Sequence, residues 1–117
     1  MIYYTIQTQQ AFAQGQVIQK NIDNTYSLND NTGLILGVVM TCTQIEDTSN
    51  YTTVIYVAGG GGAKVKLLAD WDGVPSRFDF MGDGIQPVET NGVGWLIPNY
   101  PQQQYTSGTL VDAVIYK

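Results

Sequence analysis

The chain has 117 residues, a length that favours one domain and allows one buried core without disulfides or metals. Only 13% of the residues are charged, about half the roughly 25% that is usual in soluble domains, and the net charge is −5. This composition predicts no binding of nucleic acid, while the absence of histidine and the single cysteine, Cys42, exclude His-based catalysis, intrachain disulfides and Cys–His zinc sites.

The first predicted strand lies at the N-terminus and is set apart from the rest of the chain. β-Prone residues alternate with a period of two from Ile2 to Gln7, and a polar, Gln-rich segment follows. We therefore predict an extended N-terminal arm over residues 1–10 and one β domain over residues 11–117. The arm is suited to pairing with the sheet edge of a partner. The residues expected to make that contact are Ile2, Tyr3, Tyr4 and Ile6.

β-Prone runs and turns then alternate up to residue 58. Short strands are predicted over residues 16–19 and 26–28, with an Asn-rich turn between them. A long strand follows from Leu34 to Gln44, in which Gly37 indicates a bulge or a close backbone approach. The run from Thr52 to Ala58 has the composition of a strand that is covered on both faces.

Four consecutive glycines, residues 59–62, separate that strand from the next β-prone run at residues 63–69. Two strands joined by a short Gly run predict a hairpin. Val65 and Leu67 alternate with two lysines, which predicts one buried and one solvated face.

The C-terminal half continues the same pattern of short strands and turns. Strands are predicted over residues 77–80, 85–90, 93–97 and 109–116, with a surface loop over residues 98–107. No segment keeps a helical period for three turns. The fold class predicted is all-β, either a single small β-sandwich or a partly open β-barrel.

Neither membrane insertion nor secretion is expected from the sequence. No apolar run approaches 18 residues, so no membrane span is predicted. The N-terminal segment lacks the basic and apolar regions of a signal peptide, so we expect synthesis inside a cell.

Four acidic residues follow one another closely and offer oxygen ligands for calcium: Asp70, Asp72, Asp79 and Asp83. The segment lacks the twelve-residue loop with a closing Glu, and Asp-Gly pairs are common in turns. Calcium binding stays an open alternative, and no catalytic residue, metal ligand or cofactor is predicted. Glycoside hydrolysis would need two of these carboxylates as the catalytic pair, but no sequence pattern places two of them on opposite sides of a cleft.

The aromatic residues of the C-terminal half have two interpretations. Trp71 and Trp95 lie within or beside predicted strands, which favours roles in the core or as anchors of a subunit interface, and Tyr100 is a further candidate anchor. Exposed aromatic residues beside Asn, Gln and Asp are also typical of carbohydrate-binding β modules. That alternative requires an exposed Trp95 or Tyr100 beside Asn99.

Several segments together resemble the small β-rich decoration (cement) proteins of tailed bacteriophage heads. Residues 11–17 read Ala-x-Ala-x-Gly-x-Val, and Ile-Leu-Gly-Val-Val follows at residues 35–39. The strand at residues 53–57 leads through the Gly run into Ala-Lys-Val-Lys-Leu at residues 63–67. The turn Leu-Ala-Asp-Trp-Asp-Gly at residues 68–73 is similar to one in lambda-like head decoration proteins.

This resemblance extends loosely over residues 11–73 and implies a non-enzymatic virion protein, made in the host cytoplasm and bound to the capsid surface. Its partner would be the major capsid protein, whose neighbouring subunits it would bridge. Such proteins form symmetric oligomers, most often trimers, and use an N-terminal arm for strand addition. The alternative function is a carbohydrate- or receptor-binding knob of a phage fibre or tail.

Overall fold

The computed structural model describes residues 2–59, 62–98 and 104–116, which contain ten β-strands connected by turns and loops. One antiparallel sheet holds β1 (Ile2–Thr8), β2 (Val17–Lys20), β3 (Tyr26–Leu28), β4 (Leu34–Gln44) and β5 (Tyr51–Ala58). The other holds β6 (Ala63–Lys66), β7 (Ser76–Met81), β8 (Gly84–Val88), β9 (Gly94–Ile97) and β10 (Leu110–Ile115). The predicted all-β class is confirmed.

The two sheets form a sandwich and not a closed barrel. The strand order is β1-β5-β4-β2-β3 in the first sheet and β6-β10-β9-β7-β8 in the second. A single parallel bridge between Leu67 and Ile85 joins the end of β6 to β8. Within the described residues there is no helix that is long and apolar enough to cross a membrane.

The first sheet is buried on both faces at its middle. Alternate residues of a strand point to opposite faces, so Val38 and Tyr56 enter the core between the sheets while Val39 and Ile55 point away from it. Phe12 covers that second face, where its backbone N–H donates to the Cys42 sulfur at 3.4 Å. The prediction that the strand at residues 52–58 is covered on both faces is therefore confirmed at its middle, at Ile55 and Tyr56, whereas Thr52 at its beginning is exposed.

Gly37 allows a bulge in β4 and a close approach of β5. Ile18 pairs with Gly37, but the next residue of β2 pairs with Ile35, so one residue of β4 is skipped. Gly37 has a φ of 154°, and a Cβ atom there would lie 2.3 Å from the Tyr56 carbonyl oxygen. A side chain at this position would clash with backbone, which explains the glycine.

The segment predicted as an extended arm is an edge strand of the first sheet over its described part. β1 pairs with β5 along its whole length, from the pair Ile2–Ala58 to the pair Thr8–Tyr51. The Thr8 and Thr53 hydroxyls are 3.0 Å apart and both residues are buried. β-Prone alternation predicts a strand but does not say whether its partner belongs to the same chain or to another. In this structure the partner is β5 of the same chain.

The predicted hairpin at the Gly run is wrong, because β5 and β6 belong to different sheets. The Gly59 N–H donates to the Ile115 carbonyl at 2.9 Å, which turns the chain towards β10 as it leaves β5. Tyr56 and Val65 both enter the core between the sheets. The apolar alternation in β5 and β6 is the same whether the two strands pair side by side in one sheet or face each other across the core. The sequence pattern alone therefore could not exclude a hairpin.

Two Asp-Asn-Thr turns flank β3, one connecting it to β2 and one following it. In each, the Asn has a φ near +68°, and the Asp side chain accepts hydrogen bonds from the hydroxyl and backbone N–H of the Thr two residues later. These bonds hold the pKa of the Asp23 and Asp30 carboxyls below the usual 3.8. The largest cause is the hydroxyl bond, from Thr25 to Asp23 and from Thr32 to Asp30. The repeated triplet stabilises left-handed turns without glycine.

The Tyr56 hydroxyl connects the two sheets, and its removal tests that connection. It donates to the Gly59 carbonyl and accepts from the Ile115 N–H at 3.2 Å, in a fully buried position. We expect Tyr56→Phe to lower the free energy of unfolding by about 1–3 kcal/mol in urea titrations, because the Ile115 N–H loses its acceptor. Tyr116→Phe, which removes an exposed hydroxyl, is the control and should change stability by less than about 0.5 kcal/mol. Equal effects of the two variants would contradict this role.

Candidate interaction surface

The outer edge of β1 is unpaired among residues 2–59, 62–98 and 104–116. Ile2, Tyr3 and Tyr4 have exposed fractions of 52%, 43% and 58%, although they belong to a strand. No residue of β1 is charged and none is proline. Edge strands usually carry such residues because a free edge can pair with other chains, so β1 is an unprotected edge.

The inward contacts of β1 hold this edge in place. Ile6 packs against the cluster that contains Phe12 and Ile55. On the opposite face, the Tyr3 ring lies 6.1 Å from the ring of Tyr56, centroid to centroid. The free edge therefore belongs to a fixed strand, and its conformation is set before any partner arrives.

An array of neutral side chains continues from this edge across the first sheet. On the face that carries Tyr56, Thr5 aligns with Val54 and Thr41, and the next row runs from Gln7 through Thr52 to Thr43. We call the five exposed members of this array the Thr face: Thr5, Gln7, Thr41, Thr43 and Thr52.

The Thr face is not among the surfaces predicted from the sequence, although the sequence carries a signal for it. Thr43 and Thr52 flank the turn at residues 45–50 at equal distance, as expected of paired positions in a hairpin. Thr41 and Thr43 also alternate with Cys42, which places both on one face.

Trp71 is a core residue with an exposed fraction of only 4%. Its ring stacks on that of Tyr105 with a centroid distance of 5.1 Å, and its indole N–H donates to the Val74 carbonyl at 2.9 Å. Backbone bonds between Trp71 and Tyr105 bring the two rings together. Trp71 therefore serves the core, one of the two roles considered for it.

Trp95 is exposed, with a fraction of 42%, on the outer face of the second sheet. It pairs with Arg77 across β9 and β7, and the guanidinium carbon lies 5.4 Å from the centroid of the Trp95 ring. Both residues line a cleft of about 490 Å³, together with Pro75, Val88 and Glu89. Tyr100 and Asn99, the other residues considered for sugar binding, lie outside the described residues.

The four aspartates considered for calcium are engaged separately. The Asp70 carboxylate accepts the Ser107 N–H, and that of Asp72 accepts the Val74 N–H. Asp79 accepts the N–H of the following residue, and Asp83 forms an ion pair with Lys66 at 3.2 Å. In the described part of the chain, no three acidic, cysteine or histidine side chains converge on a common point.

Comparison of the chain with protein-family models, with curated proteins and with solved structures finds no significant match.

The two tryptophans should differ sharply when each is truncated. We expect Trp71→Ala to lower the free energy of unfolding by about 3–5 kcal/mol, because a buried ring and its stacking partner are lost. Trp95→Ala should cost less than about 1 kcal/mol, since the side chain is exposed and mainly contacts Arg77. Urea unfolding followed by circular dichroism measures both, and similar losses would contradict the assignment of Trp71 to the core and Trp95 to the surface.

Proposed function

We propose that this chain is a non-enzymatic structural protein of a phage virion that decorates the mature capsid and stabilises it by bridging neighbouring major capsid subunits. The observation that carries the proposal is the free, uncharged edge of β1, with Ile2, Tyr3 and Tyr4 exposed beside it. The resemblance of residues 11–73 to head decoration proteins supports the same role. The site of action would be the capsid surface, after synthesis in the host cytoplasm.

The chemistry of the first sheet suits a broad contact with other protein. A strand added along β1 would gain main-chain hydrogen bonds, and the adjoining Thr face would contribute hydroxyl groups without any charge to desolvate. Lys20 is the only charged residue in the five strands of this sheet. Interface cores are poor in charged residues for the same reason.

A symmetric oligomer would strengthen binding to a capsid. Capsid subunits repeat in a regular array, so several copies held together can engage several subunits at once, and each contact after the first is effectively intramolecular. The resemblance favours a trimer, and any closed oligomer gives the same advantage. An oligomer can therefore stay bound to the capsid even when the contact of each single copy with a capsid subunit is weak.

A single lysine on β1 tests the proposed contact. We expect Tyr4→Lys to reduce binding to expanded, undecorated heads at least about tenfold in co-sedimentation, because a charge would be buried at the added strand. Ile22→Lys is the matched control, since Ile22 is fully exposed in the turn between β2 and β3. Thr5→Lys repeats the test on the opposite face of β1. Unchanged saturation of heads by both folded β1 variants would overturn the proposal.

The second candidate function is a carbohydrate- or receptor-binding knob, and the exposure of Trp95 favours it. The cleft beside Trp95 offers an aromatic surface, the guanidinium donors of Arg77 and the carboxylate of Glu89, with no ion pair between these two charges among the described residues. A neutral pyranose could pack on the indole, accept hydrogen bonds from Arg77 and donate one to Glu89.

Trp95→Ala distinguishes this candidate from a structural role. If the knob is correct, the wild-type chain binds a neutral glycan on an array and Trp95→Ala loses at least about tenfold in affinity while staying folded. Tyr116→Ala, which truncates another exposed aromatic residue, should leave glycan binding unchanged. Absence of any glycan binding by the wild-type chain would remove this candidate.

A further inference from the structure

We propose that β1 of one copy pairs antiparallel with β1 of a second copy, so that the first sheets of two copies become one continuous ten-stranded sheet. This inference rests on the proposed role of β1 as a contact strand and names its partner. The Thr face and the second sheet are left free to contact the capsid. We choose a second copy as the partner of this edge because β1 is unprotected, is regular along its length and can pair with its own copy in a symmetric register.

β1 differs from the other three sheet edges of the described structure in having no protection. β3, at the far edge of the first sheet, has only three residues. In the second sheet, β6 carries Lys64 and Lys66, and β8 contains Pro87. Short length, lysine and proline are the features that keep natural edges from pairing with other chains. β1 has seven residues and neither of these residue types.

The strand is also regular enough to form a ladder. Its one register shift against β5 falls between Ile2 and Tyr3, at its beginning. From Tyr3 to Thr8 each residue has one partner in β5, so the N–H and C=O groups on the free side alternate as in an ordinary edge strand. A second strand can therefore bond along nearly the full length of β1.

Symmetry restricts the register of this pairing. A two-fold axis perpendicular to the sheet keeps each side chain on its own face, so residues opposite each other must be an even number of positions apart. The register with the longest overlap is centred on Thr5. It places Tyr4 opposite Ile6 of the second copy on one face, and Tyr3 opposite Gln7 on the other.

The Tyr4–Ile6 pair supports this register. Tyr4 and Ile6 lie on the face that carries Phe12 and Ile55, so the pairing would extend an existing apolar cluster across the axis. No charged side chain meets its own copy, because residues 1–19 contain none. The negative net charge of the chain resides in segments that follow the arm and therefore does not oppose the contact locally.

Engineered cysteines test the register directly in the purified full chain. In a Cys42→Ser background, Thr5→Cys should cross-link to itself under mild oxidation, because position 5 faces itself across the axis and a disulfide spans Cα atoms about 4.4–6.8 Å apart. Gln7→Cys is the matched control: positions 7 in the two copies would lie about 13 Å apart, four residues along the strand, and should not cross-link. A mixture of Tyr3→Cys and Gln7→Cys chains should form the heterodimer.

Sedimentation of the wild-type chain, without heads, gives the second measurement. We expect a dimer, or an even-numbered assembly, at a protein concentration of about 0.1 mM, and a smaller species for Tyr4→Lys. Thr41→Lys, on the Thr face and away from the edge, should leave the assembly unchanged. A wild-type monomer, a wild-type trimer, or cross-linking of Gln7→Cys to itself would each overturn the inference. A dimer that fails to bind heads would refute the proposed function alone, and a monomer that binds heads would refute this inference alone.

Discussion

The arrangement of the two sheets depends on the backbone groups of β10 finding partners at the end of β5. The Tyr56 hydroxyl and the Gly59 N–H together satisfy the N–H and the C=O of Ile115, so one residue of the second sheet is bonded twice to the first. Both groups lie where a missing bond would leave buried polar atoms unsatisfied, which is costly. This junction directs the chain from one sheet into the other and so determines which faces of the sheets meet.

Neutral amides and hydroxyls form the side-chain bonds between segments that ion pairs form in many domains of this size. Gln19, almost fully buried, donates to Asn21 and Thr32 and accepts from the backbone of Asp30 and Gly33. Asn29 donates to the Gly82 carbonyl and so connects the first sheet to the turn between β7 and β8. In the described part of the chain no buried side-chain nitrogen or oxygen lacks a hydrogen bond. The low charge of the sequence therefore leaves no buried polar group of this part without a partner. Its consequence is a surface with few charged side chains.

Local patterns predicted the strands well and their partners poorly. The bounds of β4, the bulge at Gly37 and the buried face of β10 all follow from alternation and from glycine chemistry, which act over a few residues. The separation of β5 from β6 and the pairing of β1 with β5 depend on distant segments. For the same reason the sequence could not distinguish Trp71 from Trp95: both lie at β-prone positions, and the first is buried by the core, including the stacked ring of Tyr105.

The place of β1 in the sheet also has a consequence for the order of folding. The hairpin of β4 and β5 closes through a short turn, whereas β1 must return across most of the first half of the chain to reach β5. Because pairs distant in sequence lose more loop-closure entropy, we expect β1 to dock after β4 and β5 have met. Until it docks, β5 presents its own unpaired edge to solvent beside a free β1. Two molecules that meet in this interval can exchange their first strands, and the yield of refolding should therefore fall as the protein concentration rises.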